Sequence, residues 1–226
     1  MQEPPSDNVR VGSWPLLAAA VTAVIFYGVG LAELGAAPSA SESASQLVKW
    51  FVDNGDNIRW FVWCIAVATP SLAITFALLR CLLPAPYRDV FLIGAITTLA
   101  TTAVYTWTWA GLALHPERMR PMVLRALLDI AIFYGPVLTG TTTTMMAPVT
   151  WLALREQARL PRWLGILGAI ALVEQAVETV TIFGSTGFTQ PGGAMNMQLG
   201  AGLTLAWLLA FALWGGFRGR FESSAA

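Results

Sequence analysis

Two acidic residues, Glu174 and Glu178, interrupt a stretch that is otherwise apolar enough to cross a membrane. The stretch covers residues 160–184 and contains an uncharged apolar run at 164–173. Because the two carboxylates are four residues apart, they share one face of a helix, which Thr181 continues. Hydrocarbon does not solvate charge, so two carboxylates one turn apart should not both be ionised. A carboxylic acid that stays neutral is a proton donor, and we expect function to reside on this face.

A buried proton donor beside aromatic side chains suits acid catalysis on a lipophilic molecule. The acid would protonate an olefin or an epoxide, aromatic faces would stabilise the resulting cation, and a carboxylate would take a proton back. We therefore favour isomerisation or cyclisation of a terpenoid or sterol-like substrate. Integral-membrane terpene cyclases offer an analogy of chemistry, although none of their motifs aligns with this chain.

Two other functions would use the same carboxylates. In a proton-coupled transporter of a lipophilic cation, Glu174 or Glu178 would load and release the proton or hold the cation. The sequence has no convincing inverted repeat, which counts against a transporter. In a non-catalytic accessory or sensor subunit, the carboxylates would pair with a basic residue of a partner inside the membrane.

The composition is typical of an integral membrane protein. Of 226 residues, 56% are hydrophobic and only 12% are charged, whereas about a quarter of a soluble domain is charged. Basic and acidic residues balance at 13 each, so there is no basic excess that would indicate a nucleic-acid partner. The expected partners are the lipid bilayer and a lipophilic small molecule, and an oligomer or a partner subunit remains open.

The sequence offers little to a metal ion or a cofactor. His115 is the single histidine of the chain. Cys64 and Cys81 are 17 positions apart on one predicted helix, which is roughly 25 Å and beyond the reach of a disulfide. We predict no metal site and no cofactor.

Six apolar runs predict an all-α fold, a polytopic bundle of six transmembrane helices. They lie at residues 15–33, 58–82, 90–114, 123–151, 160–184 and 197–217. Within the fourth run, Pro136 and Gly140 are expected to interrupt the helix. The runs define one transmembrane domain at 15–217, between an N-terminal tail at 1–14 and a C-terminal tail at 218–226.

A polar excursion at residues 34–57 separates the first two predicted spans. Ser39 and Glu42 have the spacing of a capping box, which predicts the start of a helix. Apolar residues then recur at helical spacing at Leu47, Val48, Phe51 and Val52. We predict a short amphipathic helix that lies on the membrane surface.

Six spans place both chain termini on one side of the membrane. Eight basic residues fall on that side, namely Arg10, Arg80, Arg88, Arg155, Arg159, Arg162, Arg218 and Arg220. Five fall on the other side, namely Lys49, Arg59, Arg118, Arg120 and Arg125. The positive-inside rule therefore predicts that both termini are cytoplasmic.

This topology brings several polar and aromatic residues to the outer half of the bilayer. Glu178 lies roughly 9 Å from the outer end of its span, and Glu174 lies one turn deeper. Asp129 lies within about two turns of the same surface, four residues after Arg125, with which it could instead form an ion pair. If the helix faces converge, we predict Glu174, Glu178 and Asp129 as catalytic residues. The predicted substrate-binding residues at similar depth are Tyr105, Trp107, Trp109, Tyr134, Glu33 and Arg59.

Four features at helix ends carry a resemblance to known sequences. The polar excursion ends in Trp50-Phe51-Val52-Asp53-Asn54, and a short Arg-containing link follows the second helix. The fifth helix opens with Leu160-Pro161-Arg162-Trp163-Leu164-Gly165, and the sixth ends with Trp214 and Arg218. The chain thereby resembles a broad set of uncharacterised six-helix integral membrane proteins of bacteria. The resemblance implies six spans in the bacterial inner membrane, and it implies no activity.

Overall fold

The described part of the chain is helical throughout, and its long helices follow the six apolar runs. The computed structural model describes residues 13–38, 41–184 and 187–223, so Arg10, Ser39 and most of the predicted N-terminal tail lie outside the described residues. The helices are α1 (Ser13–Leu34), α2 (Ala44–Asp53), α3 (Gly55–Arg80), α4 (Tyr87–Leu114), α5 (Pro121–Ile132), α6 (Tyr134–Leu154), α7 (Arg162–Glu178) and α8 (Ala201–Ser223).

Six segments of the described residues are long and apolar enough to cross a membrane, which confirms the predicted number of long apolar helices. Three are the single helices α1, α3 and α4, and the fourth joins α5 and α6. The fifth joins α7 to the 3-10 helix Thr179–Phe183. The sixth joins the π-helix Met195–Gly200 to α8, which continues to Ser223, beyond the predicted end at residue 217.

The long helices are apolar on their outer surface as well as toward the core. In α1, Ala20 and Ala23 are buried, whereas Val21, Ile25 and Val29 are exposed. A helix on the surface of a soluble domain would carry polar residues at those exposed positions. The outer face of α1 is therefore suited to hydrocarbon.

The six segments pack into a ring in the order of the sequence. Going round the ring, α1 packs on α3, α3 on α4, α4 on α6, α6 on α7 and α7 on α8, and α8 returns to α1. One apolar cluster, which includes Phe91, Trp207 and Phe211, fills the ring near the chain termini. A second cluster, which includes Phe51 and Trp109, fills it near α2. We call these two ends of the ring the terminal end and the α2 end.

The helix α2 covers one end of the ring and begins at a capping box other than the predicted one. Gln46 N–H donates to Ser43 Oγ at 3.4 Å, and Ser43 N–H donates to Gln46 Oε1 at 2.8 Å. The sequence holds two consecutive patterns of this kind, at residues 39–42 and 43–46, and helix α2 begins at the second. That start aligns Leu47 and Phe51, both fully buried, on the face that packs against the ring.

The fourth span is broken earlier than the sequence predicted. The break falls at Phe133, between α5 and α6, whereas Pro136 and Gly140 both lie inside α6. A proline ring collides with the carbonyl group four residues before it, which here belongs to Ile132, the last residue of α5. Pro136 therefore breaks the helix one turn before its own position.

Candidate functional site

A cavity lies inside the ring, between the two apolar clusters. Its volume is about 80 Å³, and all six spans contribute to its wall. Nine of the 23 lining residues are leucine, phenylalanine or methionine, and five threonines, three tyrosines, Gln175 and Asn196 add uncharged hydroxyl and amide groups. Among the described residues that line it, Glu178 is the one acidic residue and none is basic. The site is therefore an apolar chamber with a single carboxyl group.

Glu178 is held by an asparagine from the last span. Its side chain is 4% exposed, and its Oε1 accepts a hydrogen bond from Asn196 Nδ2 at 2.6 Å. Asn196 Nδ2 also donates to Thr181 Oγ1 at 3.2 Å, and Asn196 Oδ1 accepts from the N–H of Gly192 at 3.1 Å. Because the amide is fixed on three sides, it fixes one oxygen of the carboxyl group. The other oxygen, Oε2, makes no hydrogen bond with the described residues.

Glu174 lies one turn before Glu178 and is unpaired. Both of its carboxyl oxygens are buried and have no hydrogen-bond partner among the described residues. No ion pair of the described part of the chain includes Glu174 or Glu178. With no cation beside them, a negative charge on both carboxyl groups at once is unfavourable.

Gly200 lets both carboxyl groups approach the last span. A Cβ atom at this position would lie 2.6 Å from Glu178 Oε2 and 3.5 Å from Glu174 Oε2. Real Cβ atoms do not approach an oxygen as closely as the first of these distances. The absence of a side chain at Gly200 is therefore what makes room for the Glu178 carboxyl group.

Gln175 ties three spans together at the cavity wall. Its Oε1 accepts a hydrogen bond from Thr143 Oγ1 of α6 at 2.9 Å, and its Nε2 donates to Thr204 Oγ1 of α8 at 3.1 Å. A buried amide with both of its ends satisfied fixes the relative positions of the helices it joins. Gln175 thus positions α7, the helix that carries both acidic residues.

Two of the predicted substrate-binding residues, Tyr105 and Tyr134, meet at the cavity wall. Their rings stack with centroids 4.1 Å apart and planes 17° apart. The hydroxyl groups of Tyr134 and Thr102 are 2.7 Å apart, and Tyr27 lines the same cavity. Tyr105 donates to the Sδ atom of Met197 at 3.5 Å. The stacked pair Tyr105 and Tyr134 is therefore held by hydrogen bonds from both of its hydroxyl groups.

The two predicted tryptophans lie away from the cavity. Trp109 is buried in the second apolar cluster, where its ring centroid is 5.6 Å from that of Phe51 and 6.0 Å from that of Trp50. Trp107 is 72% exposed on the outer side of α4. Two residues that are two positions apart on a helix point in different directions, and neither of these directions leads to the cavity.

The remaining predicted residues also lie outside the cavity lining. Glu33 is exposed near the end of α1, and Arg59 forms an exposed ion pair with Asp56 at 3.0 Å. Asp129 is 2.8 Å from Arg125, so the ion pair that the sequence offered as an alternative is present. The structure thus brings together Glu174, Glu178, Tyr105 and Tyr134, and leaves the other five apart.

Sequence reasoning missed four residues that build the site: Tyr27, Gln175, Asn196 and Gly200. Asn196 lies just before the predicted start of the last span, so its position was assigned to a loop. Gln175 is a polar residue inside an apolar run and carried the same signal as its acidic neighbours. Gly200 had no such signal, because only the contact with Glu178 reveals its role.

The described residues contain no group of three or more His, Cys, Asp or Glu side chains that could hold a metal ion. Comparison of the chain with family models, with curated proteins and with solved structures finds no match.

Proposed function

We propose that the chain is a multi-pass protein of the bacterial inner membrane with both termini in the cytoplasm. Six long apolar helices and their apolar outer surface support membrane insertion. The excess of arginine on the side of the termini supports the orientation. In this arrangement α2 lies on the periplasmic surface of the inner membrane, and the carboxyl groups of Glu174 and Glu178 lie in the periplasmic half of the bilayer.

We further propose that the cavity binds a largely apolar molecule and that Glu178 acts on it as an acid. The observation that carries this proposal is a buried carboxyl group in the wall of an apolar cavity that has no basic lining residue. Oε2 is the atom available for proton transfer, since Oε1 is occupied by Asn196. The reaction class is acid-catalysed isomerisation of a lipophilic substrate.

The proposed step conserves atoms and charge. Glu178 gives its proton to one carbon of a double bond, which forms a C–H bond and leaves a carbocation and a carboxylate. The Asn196 amide stabilises the carboxylate through its 2.6 Å hydrogen bond, and the tyrosine rings stabilise the cation. A neighbouring carbon then returns a proton to the carboxylate, so the double bond has moved and the acid is regenerated.

The size of the cavity favours isomerisation over cyclisation. A volume of about 80 Å³ is several times the ~15 Å³ that one water needs, but small beside sites that enclose a whole ligand. Cyclisation would require the whole chain of the substrate to fold inside. Migration of a double bond needs only one end of the molecule beside Glu178.

Solvent deuterium tests the proposal without knowledge of the substrate. The Glu178 proton exchanges with water, so turnover in D₂O places one deuterium on a carbon of the product. We expect the protein in nanodiscs, incubated with lipid extract in D₂O, to produce a deuterated lipid that mass spectrometry detects. Glu178→Gln should lower its formation ~10²- to 10⁴-fold, as removal of a positioned acid does.

Glu117→Gln is the matched control, because Glu117 is exposed and lies outside the site. The Glu117→Gln variant should form the deuterated lipid at the wild-type rate. Equal rates for Glu178→Gln and the wild type would contradict the proposed acid.

Proton-coupled transport is the second candidate, and the helix geometry next to Glu178 favours it. The 3-10 helix Thr179–Phe183 follows Glu178 directly, and Asn196 lies in the π-helix Met195–Gly200. A 3-10 turn at the end of a helix is common, but π-helical turns are rare and are frequent at functional sites. A transporter would accumulate a lipophilic cation such as ethidium in proteoliposomes under a pH gradient, without producing a deuterated lipid.

A further inference from the structure

A second depression lies on the outer side of the ring, against the same tyrosines. It runs between α4 and the break that separates α5 from α6, and its volume is about 240 Å³. We call it the lateral groove. Its lining residues besides the two tyrosines are Thr101, Val104, Thr108, Ile130, Ala131, Phe133 and Val137.

The described residues that line the lateral groove are uncharged and mainly apolar. Val104, Ile130 and Val137 are exposed apolar side chains. The hydroxyl groups of Thr101 and Thr108 donate to main-chain carbonyls of their own helix, at 2.8 Å and 2.9 Å. In the proposed topology this surface faces the bilayer, so the groove suits a hydrocarbon chain.

Tyr105 and Tyr134 separate the lateral groove from the cavity, because both residues line both spaces. Their hydroxyl groups make hydrogen bonds with Thr102 and Met197, which line the cavity but not the groove. The wall between the two spaces is therefore a pair of stacked rings whose hydroxyl groups form hydrogen bonds with residues on the cavity side.

Large side chains fill the two ends of the ring. Trp207 and Phe211 are fully buried at the terminal end, and Phe51 and Trp109 are fully buried at the α2 end. At the side of the ring, by contrast, Tyr105 and Tyr134 line both the cavity and the groove.

We propose that the lateral groove is the entrance to the cavity and that the ligand is a single-chain amphiphile taken directly from the bilayer. Its hydrocarbon chain lies in the groove, and its head or reactive end passes between the tyrosine rings to reach Glu178. The inference rests on the proposed function for the role of Glu178. It also explains the sizes of the two spaces, since the groove holds the part of the molecule that the cavity is too small to enclose.

A substitution that fills the groove tests the entrance. Val137 is 63% exposed and lines the groove but not the cavity, so Val137→Trp adds bulk there without disturbing the core. Val173→Trp is the matched control, because Val173 is 65% exposed on α7 and lines neither space. Both variants should elute as the wild type does in size-exclusion chromatography.

The probe is hexadecanol with a photoreactive diazirine next to its hydroxyl group, added to phosphatidylcholine vesicles that hold the protein. After irradiation, mass spectrometry should locate labels on the cavity residues Leu99, Met145 and Leu205. A clash of 1–3 kcal/mol in the groove should lower this labelling by about 5- to 150-fold in Val137→Trp. Val173→Trp should be labelled as the wild type is.

Removal of the hydroxyl groups provides a second, opposite test. The double variant Tyr105→Phe and Tyr134→Phe keeps both rings and loses their fastening, so the cavity should be labelled faster than in the wild type. Undiminished cavity labelling in Val137→Trp would overturn the proposed entrance. So would a cavity that stays unlabelled in both the wild type and the double variant.

The outcomes separate the entrance from the proposed acid. Glu178→Gln should admit the probe normally, because entrance needs no proton. If Glu178→Gln still forms the deuterated lipid while Val137→Trp blocks labelling of the cavity, the proposed role of Glu178 as an acid is overturned and the proposed entrance is supported. If Glu178→Gln abolishes exchange while Val137→Trp is labelled normally, the acid stands and the entrance is overturned.

Discussion

A single missing side chain, at Gly200, determines how near the two acidic residues can come to the last span. Alanine at this position would force the Glu178 carboxyl group away from its place beside Asn196, since a Cβ atom would lie 2.6 Å from Oε2. The carboxyl group is then neither held by its amide donor nor directed into the cavity.

We therefore expect Gly200→Ala to lower both thermal stability and deuterium exchange. Overpacking costs about 1–3 kcal/mol, which corresponds to a melting temperature lower by several degrees in a chain of this size. Gly202→Ala is the control, because nothing lies within 4 Å of its Cβ position and alanine favours a helix by about 1 kcal/mol over glycine. Equal melting temperatures for the two variants in detergent would contradict the packing argument.

The acidic residues of the candidate site could be identified from the sequence, whereas most of the residues around them could not. Glu174 and Glu178 could be predicted because carboxyl groups are rare in apolar spans, whatever the fold. From the sequence, Tyr105 and Trp107 were equally good candidates for the cavity wall. The sequence gives the depth of a residue in an apolar helix but not the face on which it lies. Asn196 and Gly200 act through contacts with α7 that arise only when the ring closes.

At the scale of elements, Arg125 fastens the link before α2 to α5. Its Nη1 donates to the main-chain carbonyl of Glu42 at 2.7 Å, while its Nε lies 2.8 Å from Asp129. The side chain thus joins the segment that leads into α2 to the first half of the broken span. Asp129 orients this arginine rather than the ligand.

We expect Arg125→Ala to loosen α2 without unfolding the ring. Lys49 is the single lysine of the chain and lies exposed on α2, so a lysine-specific protease reports the opening of this helix alone. Cleavage at Lys49 should become several-fold faster, because proteolysis follows local unfolding. Arg118→Ala, at an exposed ion pair with Glu117, should leave the rate unchanged. A rate for Arg125→Ala equal to that of the wild type would contradict the fastening role.

The helices themselves were predictable to within a few residues, and the exceptions have local causes. Apolar length determines a span, so all six could be located from sequence. The break at Phe133 was misplaced because the effect of Pro136 is exerted one turn upstream. The start of α2 was misplaced because two capping patterns follow one another directly, and the second is the one whose helix buries Leu47 and Phe51.

At the scale of the whole molecule, the orientation in the membrane is open to a direct test. With eight basic residues on the side of the termini against five on the other, the proposed topology has the termini in the cytoplasm. A reporter fused after Ala226 should therefore be active only if it works in the cytoplasm, and one inserted at residues 185–195 only if it works in the periplasm. The reverse pattern would invert the proposed topology and move the cavity to the cytoplasmic half of the bilayer.

Because the helices pack round the ring in the order of the sequence, the ring can close only after the last helix has been synthesised. Every span packs on its neighbour in sequence, except that the ring is completed by α8 returning to α1. Asn196 follows Glu178 by 18 residues, which a ribosome adds in about 1–4 s. During that interval Glu178 has no amide donor and the seam between α7 and α1 is unfilled. The cavity beside Glu178 is thus the last part of the described structure to form, and it is complete only when the final helix packs against α7 and α1.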